Sequence, residues 1–155
     1  MDGVALLKKA VDDYNIAAAG ADNQALLNAA ETLHAAFENL ARVIMPVSRE
    51  VDAFHQVLYV IYHKYAPDKA YDKVRSAIPD LLAKAEAVVN ASLPSAMSEK
   101  KEVFQKAAAA LLEAVKALDA AATAGDRSGV ETGIETVHTR YQALEKVFEN
   151  VRIPI

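Results

Sequence analysis

The stretch FHQVLYVIYHKY, residues 54–65, sets His55 and His63 among four aromatic and four branched aliphatic residues, with Lys64 as its one fixed charge. The other two of the chain's four histidines are His34 and His138. An imidazole inside so apolar a segment must be hydrogen-bonded or must coordinate something, because burying it unpartnered is costly. The chain contains no cysteine. Disulfides, thiolate metal sites, iron–sulfur clusters and haem attachment through C-x-x-C-H are thereby excluded, and a metal would rest on histidine, carboxylate or tyrosine.

Spacing decides which of these groups can share an ion. His55 and His63 are eight residues apart, a rise of roughly 12 Å on a straight helix, which is too far for one metal. His34 and Glu38 stand one helical turn apart on the same stripe. A helical hairpin reflecting about residues 46 and 47 sets His55 level with Glu38 and His63 level with Ala30, with His34 between the two levels. His34, Glu38 and His55 then form a three-ligand site, which His138 completes as a fourth ligand. His63 joins only at a second ion or through a helix distortion. Zinc, copper, nickel and iron all suit such donors, and nothing in the spacing selects one. The competing reading treats the same imidazoles as core groups satisfied by a backbone carbonyl or by Tyr59, Tyr62 or Tyr141.

The elements that must position these groups are helical. Alanine is the commonest residue (32 of 155), glycine and proline number five each, and β-branched residues are scattered. The breaks AGAD (19–22), MPVS (45–48), APD (66–68), SLPS (92–95) and AGDRSG (124–129) divide the chain into six helices, at about 3–19, 22–45, 49–66, 69–91, 97–124 and 128–150. Pro79 is expected to kink or split the fourth. MSEKKEVFQK (97–106) reads as a helix start capped by Ser98 with a solvated face. The apolar arc of the second helix runs through Leu26, Ala30, Leu33, Phe37, Leu40 and Ile44, and that of the sixth through Ile134, Val137, Tyr141, Leu144, Phe148 and Val151, with His34 and His138 at their margins. Val51, Phe54, Leu58, Ile61, Tyr62 and Tyr65 form the seam of the third helix, which Val57 and Val60 widen, so that helix should be central.

An internal repeat relates the two ends. A shift of 104 positions aligns 11–44 with 115–148 at nine identities, so Glu31, Thr32, His34, Leu40 and Val43 recur as Glu135, Thr136, His138, Leu144 and Val147. The expected architecture is an all-α up-and-down bundle forming a single domain over 1–155. Its repeat hairpins cover 3–45 and 97–150, the helices of 49–91 are inserted between them, and the second, third, fifth and sixth helices supply a four-helix core.

A formal charge of −4 without a Lys/Arg stripe argues against nucleic acid. No segment has the length and apolarity of a membrane span, and residues 1–20 lack a signal-peptide pattern. The chain reads as soluble, periplasmic if a leader has been removed and otherwise cytoplasmic, with a second copy or an unidentified protein as the remaining partner. There is no glycine-rich phosphate loop, G-x-S-x-G or H-E-x-x-H, so the balance leans away from an enzyme.

ETLH and ETVH resemble the paired E-x-x-H motifs of ferritin-like di-iron bundles, although Glu31 and Glu135 fall toward solvent and the first helix carries no glutamate. VHTRYQ, residues 137–142, resembles the C-terminal haem-ligand helix of four-helix-bundle cytochromes of the b562 and c′ types. That likeness implies His138 as axial ligand, while the attachment cysteines and any methionine partner except Met1 are missing. LHAAFENL, FHQVLYVIYHKYAPDKAYDKVRSAIPDLL and VHTRYQALEKVF together resemble a group of uncharacterised bacterial helical domains, often exported. This resemblance implies that His34, His55, His63 and His138 belong to one pattern. The expected function is transition-metal binding for sensing, storage or delivery. The alternatives are a non-catalytic structural or interaction bundle and a di-iron or haem bundle.

Overall fold

The structure, a computed structural model, describes residues 3–44 and 47–149, and every regular element among them is a helix. They are α1 (Gly3–Ala19), α2 (Asn23–Ile44), α3 (Arg49–Val60), α4 (Tyr71–Val89), α5 (Lys101–Ala124) and α6 (Arg127–Glu145). A π-helical turn, Ile61–Tyr65, extends α3, and a 3-10 turn, Ser95–Lys100, leads into α5. The protein is an all-α helical bundle, as its composition requires, and its chain divides into two compact units, Met1–Pro46 and Val47–Ile155. The turn at 45–46, on which the expected register of His34 against His55 depends, lies outside the described residues, as does Val151.

The helix starts follow from side-chain chemistry. Asp22 Oδ1 accepts from the N–H groups of Gln24 (2.9 Å) and Ala25 (3.1 Å) at α2. Its repeat counterpart Asp126 accepts from Gly129 N (3.0 Å) at α6. Each satisfies backbone donors that have no carbonyl partner inside the helix. Thr32 and Thr136, also repeat counterparts, both donate to the carbonyl four residues back. Ser48 caps α3 through Val51 N (3.3 Å), with Glu50 and Asp52 in the first turn favoured by the helix dipole. Ser98 does not cap α5. It lies inside the 3-10 turn, and Lys100 takes the cap position without a side-chain bond. The Lys100 ammonium instead donates to the carbonyls of Val147 (2.8 Å) and Glu149 (2.7 Å), tying the approach to α5 to the chain beyond α6.

The second unit holds almost all the buried apolar side chains. α3 packs on α4, α4 on α5, and α5 on α6, while α6 returns to the π turn and closes the ring. α4 is therefore a full member of this four-helix body, although the expected core of second, third, fifth and sixth helices omitted it. Val74, Ile78, Leu81, Ala85 and Val88 are all buried. It also runs unbroken through Pro79, whose ring is on the exposed face while Ile78 and Leu81 anchor the helix on either side. α5 and α6 approach closely at Gly133, where an added Cβ would sit 3.0–3.3 Å from Leu118, its Cα included. Gly125, with φ 71°, ends α5 in the left-handed conformation that glycine adopts without strain.

The first unit is a helical hairpin in which α1 packs on α2. Gly3, Leu7, Ala10, Tyr14 and Ala17 recur at alternating steps of four and three on α1, and all are buried or half-buried. Among the described residues of this unit, Ala10 alone is fully buried. Phe37, placed on the apolar arc of α2 by its spacing, is 59% exposed. Six of the seven exposed large hydrophobics among the described residues lie here, including Val4, Ile16, Leu27 and Phe37.

Candidate functional site

The histidines of the second unit are held in a ladder of rings between α3 with its π turn and α6. His55 is buried and lies face to face with the Tyr141 ring, at 4.8 Å between centroids and 13° between planes. Phe54 lies on Tyr141 at 6.0 Å, and the Tyr141 hydroxyl donates to Glu145 Oε1 (2.8 Å). One turn along α3, Tyr59 stands edge-on to His55 and at 4.5 Å from His63. The Tyr62 ring meets His63 edge-on at 5.1 Å and lies flat on His138 at 3.8 Å. Offset stacks and edge contacts of this kind are favoured by the ring quadrupole beyond their buried area.

Local backbone explains how Tyr62 reaches α6. In the π turn, Ala66 N donates to Ile61 O (2.9 Å), spanning five residues instead of four, and past it Ala70 N reaches back to Tyr65 O (2.9 Å). The turn inserts one residue into the helical register, as such bulges do. Lys69, with φ 51°, then closes the segment in the left-handed region before α4 begins. His63, expected to join a metal site only at a second ion or through a helix distortion, lies within this π turn.

The E-x-x-H motif of α6 grips one side chain. Glu135 accepts from the Tyr62 hydroxyl (3.2 Å) while His138 covers the Tyr62 ring face. Burial first, then the charge and the hydrogen bond of Glu135, raise the Tyr62 phenol above its ordinary value. One turn earlier on α6, Glu131 accepts from the Tyr71 hydroxyl (2.5 Å). That bond is the main reason the Tyr71 phenol is raised, with the nearby Arg127 guanidinium opposing the shift. An open groove of about 580 Å³ runs beside these pairs, bounded by Tyr62, Lys69, Glu131 and Glu135.

In the first unit, His34 Nε2 stands 3.2 Å from Glu38 Oε1, the carboxylate one turn along α2, and both side chains are partly exposed. This is the imidazole–carboxylate pair anticipated from spacing. The repeat counterpart of Glu38 is Gln142, so α6 cannot form the same pair, and His138 is engaged by Tyr62 instead.

No family profile, curated protein or solved structure matches the chain.

Among the described residues no three His, Asp or Glu side chains are gathered as a metal site would need. The expected set of His34, Glu38, His55, His63 and His138 draws on both units. What is present is a set of imidazole–tyrosine contacts. Tyr59, Tyr62 and Tyr141 are the tyrosines anticipated as polar partners, and they meet the histidines through ring faces and edges. The signal for the Glu135–Tyr62–His138 clamp was in the sequence as ETVH facing an aromatic-rich helix. Its reading as a grip on a tyrosine needed the π turn.

Proposed function

We propose that the chain is a non-catalytic interaction bundle whose histidines are structural. The observation that carries this reading is that His55, His63 and His138 each rest against tyrosine rings, two of them face to face. Such contacts orient each imidazole and bury its ring faces without recruiting an ion. The exposed apolar side chains of α1 and α2 supply surface for a protein partner, a second copy of the chain included.

Metal binding remains as a second reading, favoured by the His34–Glu38 pair. Zinc, copper, nickel and iron all accept imidazole nitrogen and carboxylate oxygen, so they would be the ions to test. Elemental analysis of untagged protein decides between the two. The interaction reading expects metal well below stoichiometric amounts, and a melting temperature that a chelator leaves unchanged. Stoichiometric metal that falls away in His34→Ala or His55→Ala would replace it with the metal reading.

A further inference from the structure

Two guanidinium groups of the second unit, those of Arg75 and Arg127, line one cleft. Tyr71, Asp72 and Arg75 from the first turns of α4 face Gly125 at the end of α5, and Arg127 and Val130 at the start of α6, around a volume of about 220 Å³. Lys9, Lys84 and Lys116 are paired with Asp13, Asp80 and Glu113, and Lys100 reaches backbone carbonyls. Among the described residues, neither Arg75 nor Arg127 is ion-paired. Arg127 is instead positioned over the Tyr71 ring, 5.3 Å from its centroid, and Tyr71 is itself anchored on Glu131.

An anion held between two guanidinium groups is attracted by both, and their planar forks suit the oxygens of a tetrahedral oxyanion. Arg127 is the first residue of α6, whose N-terminus is already capped by the Asp126 carboxylate, so the two guanidinium groups supply the attraction. Asp72 works the other way. Its carboxylate lines the cleft, and its charge disfavours an anion that cannot offer it a proton. Phosphate near neutral pH retains a P–OH group that can donate to Asp72 while its other oxygens face the arginines. Sulfate carries no such proton.

We propose that this cleft is a phosphate site in which Arg75 and Arg127 hold the oxyanion and Asp72 accepts its remaining proton. It is independent of the histidine ladder and of the interaction reading. The ligand is free phosphate or a singly protonated phosphomonoester, and the test separates them. Amide resonances of Gly125, Arg127 and Val130 are followed in the full chain while inorganic phosphate, sulfate or O-phosphoserine is added at pH 6.5, with sodium chloride matching ionic strength. Saturable shifts are expected with phosphate and at least tenfold weaker response to sulfate. Stronger binding of O-phosphoserine than of phosphate assigns the site to an ester, and the reverse order assigns it to the free ion. Arg75→Gln and Arg127→Gln should each weaken binding about tenfold, with circular dichroism confirming unchanged helicity. Asp72→Asn should narrow the gap between phosphate and sulfate. No shift beyond the chloride control, or unaltered binding in both arginine variants, overturns the site. Equal binding of sulfate and phosphate by the unmodified chain overturns the role of Asp72.

Discussion

Removing either member of the His55–Tyr141 pair tests whether the histidines stabilise the body by ring contact. His55 is buried, so His55→Ala loses the stack and most of its burial, at a cost of about 2 kcal/mol. Tyr141→Leu keeps apolar volume. It forfeits the Glu145 hydrogen bond and the ring contacts with Phe54 and His55, and costs about 3 kcal/mol. Both losses include the same stack, so the double variant should lose about 4 kcal/mol rather than 5, a coupling of about 1 kcal/mol. Urea unfolding followed at the helical circular dichroism band reads this as a midpoint roughly 0.5 M higher than additivity predicts. The cycle is run with and without chelator. Additivity to within about 0.3 kcal/mol would refute stabilisation through the stack, and a coupling abolished by chelator would assign it to a bound metal.

Three further outcomes are expected. Gly133→Ala meets the Leu118 Cα, which cannot swing aside, so strain outweighs the gain of about 1 kcal/mol in helix propensity and the melting temperature falls by several degrees in a thermal scan. Tyr62 and Tyr71 bind their protons more tightly when folded than at the ordinary tyrosine value of 10.0. Their contribution is thus complete below about pH 10 and is lost as pH rises through the folded values; Tyr62→Phe should flatten the alkaline fall in urea midpoint between pH 9 and 11.5. A fragment covering 47–155, which contains nearly all the buried apolar residues, should retain cooperative thermal unfolding. A fragment of residues 1–46 should show little helicity by circular dichroism, since a hairpin whose described residues bury only Ala10 lacks a core.

Helix number and most boundaries were legible because they depend on local chemistry. Asp22 and Asp126 cap the helices they precede, Gly125 ends α5, and α1 begins and ends at the expected residues. The apolar arcs of α3 and α6 were equally clear, since a period of 3.6 specifies which side chains share a face. That period cannot say which faces meet. The membership of α4 in the core, Pro79 within a continuous helix and the loss of Ser98 as a cap follow from packing and backbone competition between elements.

The site divides in the same way. Sequence alone placed His34 beside Glu38, because residues four apart on a helix are neighbours whatever surrounds them. It also set four aromatic residues beside His55 and His63. Which tyrosine each imidazole meets depended on one extra residue in the turn at 61–65 and on the approach of α6, and neither is written in local propensity. The cleft of Arg75 and Arg127 was invisible for a related reason: those residues stand 52 positions apart, and only the packing of α4, α5 and α6 brings two like charges to one place.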